Sequence, residues 1–176
     1  KFIKKKNYPS SVVVSFEGNS KNMGEAFANL GFALIASILF VYLIMVALYD
    51  SYVYPFVVLF SIPVAVVGAL LALALSMQPL SIFSMLGMIM LIGLVAKNAI
   101  LLLDAARHLE SEGVEREEAL MTAGRKRLRP IIMTTFALIA GMMPVAIGIG
   151  EGSEFYRPMA VAIIGGTITS TILTLL

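Results

Sequence analysis

Lys97 is the one charge set inside an otherwise apolar segment, with no Asp, Glu, Lys or Arg between Ser51 and Ala96 and none from Asn98 to Leu103. An ammonium at the centre of a membrane helix costs on the order of 2.5–3.5 kcal/mol, so a lysine kept there is a functional candidate. It needs a carboxylate partner or it loses its proton. With a partner, proton arrival at the carboxylate removes the attraction and frees the lysine, a two-state element whose balance follows a proton gradient. Asp104 lies seven residues on, on the same helix face but about 10 Å away along the axis, and reads as the helix end meeting water. No other carboxylate falls within an apolar span, so the partner is expected from sequence outside this chain. The alternative is that Lys97, six residues before Leu103 and about 9 Å from that end, snorkels its stem to the interface. Asn98, which follows, and Asp104 are the candidate supporting residues. A second constellation opens the next apolar segment: Arg127-Leu128-Arg129-Pro130, with Thr134 seven residues after Arg127 and so on its face. The arginines suit either a cytoplasmic anchor or a site. Thr134 and Thr135 suit bonds across helices or back to their own helix.

Other chemistries lack their residues. The chain has no cysteine and a single histidine, His108, in a charged stretch that reads as solvated. It has no GxxxxGK[ST] phosphate loop and no HExxH, so neither an ATP site of that kind nor a zinc site is indicated. Met85, Met88 and Met90 cluster on one segment and Met142-Met143 on another; thioethers can bind Cu(I), but methionine also fills apolar space. The net charge of +2 is too small to imply nucleic acid.

The elements that must position these residues are membrane helices. Hydrophobic residues make up 59% of the 176 and charged residues only 14%, against about a quarter charged in soluble domains. A bilayer core needs about 20 helical residues. The uncharged runs give five transmembrane spans, near 28–49, 54–75, 80–103, 128–148 and 158–176. The polar patch Ser76-Met77-Gln78-Pro79 divides the second from the third. Pro55, Pro79, Pro130 and Pro158 fall at span starts, where a missing N–H costs nothing; Pro63 and Pro144 lie inside spans and predict kinks. Two four-residue periods of small residues, Gly68/Ala72/Ser76 and Ala162/Gly166/Ser170, predict close helix packing, and Gly87 and Gly93 place Lys97 on a crowded helix. The stretch 104–127 reads as a loop carrying a short helix, Glu115–Met121, that Gly124 can end.

The region 104–129 holds six Lys/Arg and 149–157 holds one, which places the former in the cytoplasm. Residues 1–24 then lie outside despite Lys1, Lys4, Lys5, Lys6 and Lys21, as a translocated domain allows. Ser11–Phe16 reads as a β-strand, so 1–24 is expected to be the tail of a folded external domain. No signal peptide is visible after Lys4-Lys5-Lys6. Both ends look cut from a longer chain.

The run Gly93-Leu94-Val95-Ala96-Lys97-Asn98-Ala99-Ile100-Leu101-Leu102 resembles the lysine-bearing helix of resistance-nodulation-division (RND) efflux permeases, hydrophobe/amphiphile branch. Arg127-Leu128-Arg129-Pro130-Ile131-Ile132-Met133-Thr134-Thr135 resembles the start of that family's next helix, and Gly150–Glu154, Arg157-Pro158-Met159 and Gly165-Gly166 resemble its last loop and helix. The resemblance implies an all-α membrane region comprising the eighth to twelfth helices of a twelve-helix permease, preceded by the end of a periplasmic α+β porter domain. It implies no enzyme and no cofactor, the proton gradient supplying the energy. It further implies a homotrimer in lipid of the bacterial inner membrane, working with a periplasmic adaptor protein and an outer-membrane channel to export small amphiphilic substrates. Lys97, Arg127 and Thr134 match the proton relay, whose paired aspartates fall outside this chain. Alternatives are a metal-ion efflux relative, a protein-export membrane component of related fold, and an uncoupled bundle in which Lys97 only snorkels.

Overall fold

A computed structural model describes residues 19–175, all of its regular structure helical. The expected strand Ser11–Phe16 and most of the expected porter-domain tail lie outside the described residues. Six helices follow in order: α1 (Asn19–Tyr49), α2 (Val53–Leu59), α3 (Ser61–Leu75), α4 (Ile82–Ser111), α5 (Arg116–Ile147) and α6 (Ser153–Leu175). Of these, α1, α4 and α5 are each long and apolar enough to cross a membrane.

The second expected span is broken into α2 and α3 at Phe60. Pro63, expected to kink the span, is the cause: it has no N–H to give the Leu59 carbonyl, so the ladder lapses one turn before it. The polar patch ends α3 as expected, with Ser76 as its C-cap. The third span starts on a device the spacing alone did not suggest. Ser81 Oγ accepts from the Ser84 N–H at 3.3 Å while Ser84 Oγ accepts from the Ser81 N–H at 2.8 Å, a reciprocal cap that satisfies two orphan donors.

The stretch 104–127 is helical for most of its length. α4 runs through Asp104 to Ser111, the turn occupies only 112–115, and α5 then continues unbroken through Gly124 and Pro130 to Ile147. Gly124 does not end a helix. Its cost of about 1 kcal/mol relative to alanine is outweighed by packing, because Ala119 and Ala123 of α5 are fully buried against Ala106 and Leu109 of α4. Pro130 forgoes one bond in mid-helix, as proline does in membrane helices with supporting neighbours. What ends α5 is Gly148, at φ 93°, whose N–H caps the Pro144 carbonyl.

The centre of the bundle is α4, which packs against all five other helices. Its apolar core joins α3 (Ala65, Ala69, Leu73), α4 (Met88, Leu91, Val95) and α6 (Ala162). Small residues are frequent where helices meet, and large ones also face outward: Ala69 and Ala162 are fully buried beside Leu91, whereas Phe32 is 76% exposed. Membrane helices pack this way because lipid is as apolar as leucine and close approach supplies the attraction. α3 meets α6 at two of the expected small residues, Gly68 and Ala72, which face Thr169 and Gly165, while Gly166 of the other period lies against Leu91 of α4 and the Ala65 carbonyl. A Cβ on Gly165 would collide with Ala72 and lie 3.0 Å from the Gly68 carbonyl oxygen. Gly87 likewise faces the Met159 carbonyl, 2.9 Å from where its Cβ would be. Gly93, expected in the same role, has open space around it.

Candidate functional site

α4, α5 and α6 converge on one groove of about 130 Å³, lined by Lys97 and Asn98 from α4, Arg127, Thr134 and Thr135 from α5, and Thr167 from α6, with Leu94, Leu101, Pro130, Ile131 and Leu138 as its apolar wall. Three helices are needed to assemble it. Val95 and Ala96, both 3% exposed, hold α4 in the bundle, and Lys97, the next residue, lines the groove. Arg127 and Thr134 share one face of α5, as their seven-residue spacing requires, and that face is turned to α4. The continuity of α5 through Pro130 keeps the two in register.

Lys97 itself is exposed in this chain and, among the described residues, has neither an ion pair nor a hydrogen bond. Asn98 is half-buried beside it. Asp104 is not brought to the lysine. It lies in mid-helix rather than at a helix end, and lines a separate, wider crevice of about 780 Å³ with Tyr49, Arg107, His108, Glu112 and Lys126. Arg127 and Pro130 line both spaces, so they form the partition between them. His108 is solvated, 3.7 Å from Glu112 on the exposed end of α4.

The threonines divide the two kinds of bond between them. Thr134 Oγ1 donates to the Ile131 carbonyl of its own helix at 2.9 Å. Thr135, buried, reaches across to Thr171 at 3.1 Å. Because Thr171 donates its only hydroxyl proton to the Thr167 carbonyl at 2.7 Å, Thr135 is the donor in that pair. Thr167 and Thr171 were not foreseen as site residues. Their four-residue spacing on the last span is the signal available for them.

The clamp at the far end of α4 was also not foreseen. Tyr49 Oη donates to the Ile100 carbonyl at 2.8 Å, and Arg107 Nη1 donates back to the Tyr49 carbonyl at 2.8 Å with its guanidinium 5.5 Å from the tyrosine ring centre. It ties the end of α1 to the helix that carries Lys97, one turn from the lysine. The methionines form no common lining: Met88 is buried in the core, Met85 packs against that core, and Met90 and Met143 are 52% and 45% exposed on different helices.

The sequence model of the AcrB/AcrD/AcrF family matches residues 1–176. The swarming motility protein SwrC of Bacillus subtilis is 44% identical over 100% of this chain, which corresponds to 17% of that protein. The multidrug resistance protein MdtC of Erwinia tasmaniensis is 41% identical over 95% of the chain and 16% of its own length. The chain thus spans about a sixth of the curated relatives it matches. A crystal structure of a heavy metal efflux pump superposes with a TM-score of 0.81 at 30% identity, over 99% of this chain and 18% of the pump. The chain is therefore part of a multi-pass membrane protein and belongs to the AcrB/AcrD/AcrF family of RND permeases, a family of transporters rather than enzymes, with the names of its MdtC relatives supporting the multidrug branch.

Proposed function

We propose that the permease containing this chain is a proton-driven antiporter that exports small amphiphilic compounds, with Lys97, Arg127 and Thr134 as its relay residues on this side of the membrane domain. The observation that carries the reading is their convergence: three polar residues, from two helices and 37 positions of sequence, line one groove inside an apolar bundle. Lys97 is exposed on that groove, where a carboxylate from the rest of the permease can reach it. Paired with an ionised carboxylate the ammonium is held; once that carboxylate takes a proton, the attraction is gone and the lysine is free to turn toward Thr134 and Asn98. Arg127 stands at the partition between the groove and the wider crevice, which by the positive-inside bias opens to the cytoplasm. Its fixed charge sets the field that a proton leaving the groove must cross. The family resemblance adds a homotrimer in the bacterial inner membrane, a periplasmic adaptor and an outer-membrane channel.

The test is dye efflux from energised cells carrying the full-length permease, with expression and trimer controls. Lys97→Met is expected to abolish efflux while leaving assembly intact. Lys97→Arg should fail as well, because a planar fork donor does not replace a point charge. Near-normal efflux by Lys97→Met would reduce the residue to an anchor. A metal-exporting reading draws on the structural neighbour titled a heavy metal efflux pump. It is disfavoured here because the methionines, the soft ligands it would use, are dispersed between core and surface.

A further inference from the structure

Hydroxyls on these helices follow a habit. Thr134, Thr169, Thr171 and Thr174 each return the proton to a carbonyl three or four residues back, and Thr135 spends its own across the α5–α6 interface. Thr167 departs from it. The residue is 5% exposed, and its Oγ1 has no hydrogen-bond partner among the described residues. A buried polar atom without a partner in a native interior calls for a reason. Thr167 is also the single α6 residue lining the groove of Lys97, Asn98, Arg127 and Thr134. Its backbone is held in place there, because its carbonyl accepts from Thr171, which in turn accepts from Thr135.

The groove meets the two conditions for internal water, room and polar partners. At about 130 Å³ it has space for a few molecules at roughly 30 Å³ each, and six polar side chains line it, Thr167 among them. Threonine on a helix has two accessible wells about its Cα–Cβ bond, so the hydroxyl of a threonine that lines the groove is free to reorient.

We propose that Thr167 is a positioning residue on a third helix of the relay: its hydroxyl holds a water in the groove, and that water hydrates the Lys97 ammonium when its carboxylate partner is protonated. The inference rests on the relay reading above. An ammonium has three protons to place. Asn98 Oδ1 and the free lone pair of Thr134 Oγ1 accept two; the water on Thr167 accepts the third, so the released state of Lys97 is stabilised without a second charge.

The experiment compares Thr167→Val, which keeps the shape and removes the hydroxyl, with Thr167→Ser, which keeps the hydroxyl. Both are made in the full-length permease, alongside Lys97→Met. The readouts are proton-driven dye efflux against pH, the melting temperature in detergent, and solvent density in a high-resolution map. The expected result for Thr167→Val is an efflux rate lower by about tenfold, the worth of one hydrogen bond to a charged group, with a displaced pH profile and loss of a solvent peak within bonding distance of residue 167. Thr167→Ser should restore all three. A Thr167→Val protein that melts higher than wild type, with unchanged efflux and no solvent peak lost, would show an idle hydroxyl and overturn the proposal. If Lys97→Met exports normally, the relay reading falls on its own; the solvent peak and the melting temperature then still decide whether Thr167 holds water.

Discussion

Gly166→Ala is expected to destabilise the permease and to disturb the Lys97 groove from behind. Gly166 sits where α3, α4 and α6 meet: a Cβ there would lie 2.9 Å from the Ala65 carbonyl oxygen and 3.0 Å from Leu91 Cδ1, and would collide with Leu91 Cδ2. An ordinary carbon–oxygen contact begins near 3.3 Å, so the α3 backbone must yield by about 0.4 Å. Leu91 cannot swing clear, since it is fully buried in the core. Overpacking of this kind costs about 1–3 kcal/mol, and the gain of replacing a helical glycine by alanine returns about 1 kcal/mol of it. The strain is borne by Leu91, six residues before Lys97 on α4, and by the position next to Thr167 on α6. Gly124→Ala is the control. It has nothing within 4 Å, so it keeps only the propensity gain of about 1 kcal/mol. Melting temperatures of the two purified full-length variants, in one detergent, should move in opposite directions. Gly124→Ala melting below Gly166→Ala would refute the assignment of Gly166 to a close three-helix contact.

Two further outcomes are expected. Tyr49→Phe removes the bond to the Ile100 carbonyl and should lower stability by about 1 kcal/mol, measured as the melting temperature; an unchanged value would mean the clamp rests on Arg107 alone. For topology, single cysteines at Ser111 and Glu151, both exposed, should label from opposite sides with an impermeant thiol reagent, Ser111→Cys from the cytoplasm. Glu151 is the better probe of its loop than Ser153, which is buried at the start of α6. Labelling of Ser111→Cys from the periplasm would reverse the orientation.

Much of the molecule was legible along the chain because it depends on properties that are local in sequence. Apolar helices follow from blocks of apolar residues, since a bilayer crossing needs about 20 of them, and three of the helices are long and apolar enough to cross. Lys97 stood out because a charge inside such a block is rare. The α3–α6 seam was readable at Gly68, Ala72 and Gly166 because a four-residue period puts small residues on one helix face whatever the partner. Arg127 and Thr134 were placed on one face by the same rule.

The tertiary structure decided the rest. Gly124 and Pro130 are local signals to stop, yet α5 runs through both: Ala119 and Ala123 are buried against Ala106 and Leu109 of α4, and that packing is invisible from either segment alone. Pro63 predicted a kink, and the fold resolves it as a break at Phe60 between two helices. Gly93 and Gly87 look alike in sequence, but only Gly87 meets another backbone, because the choice depends on where α6 lies. Asp104 shares a face with Lys97 along α4 and still faces a different space, since Arg127 and Pro130 of α5 stand between the two. Thr167 reads as one more small polar residue on an apolar helix. Only the meeting of α4, α5 and α6 makes it the third wall of the groove. A span and a charge are properties of a single segment, whereas a site is made where segments meet.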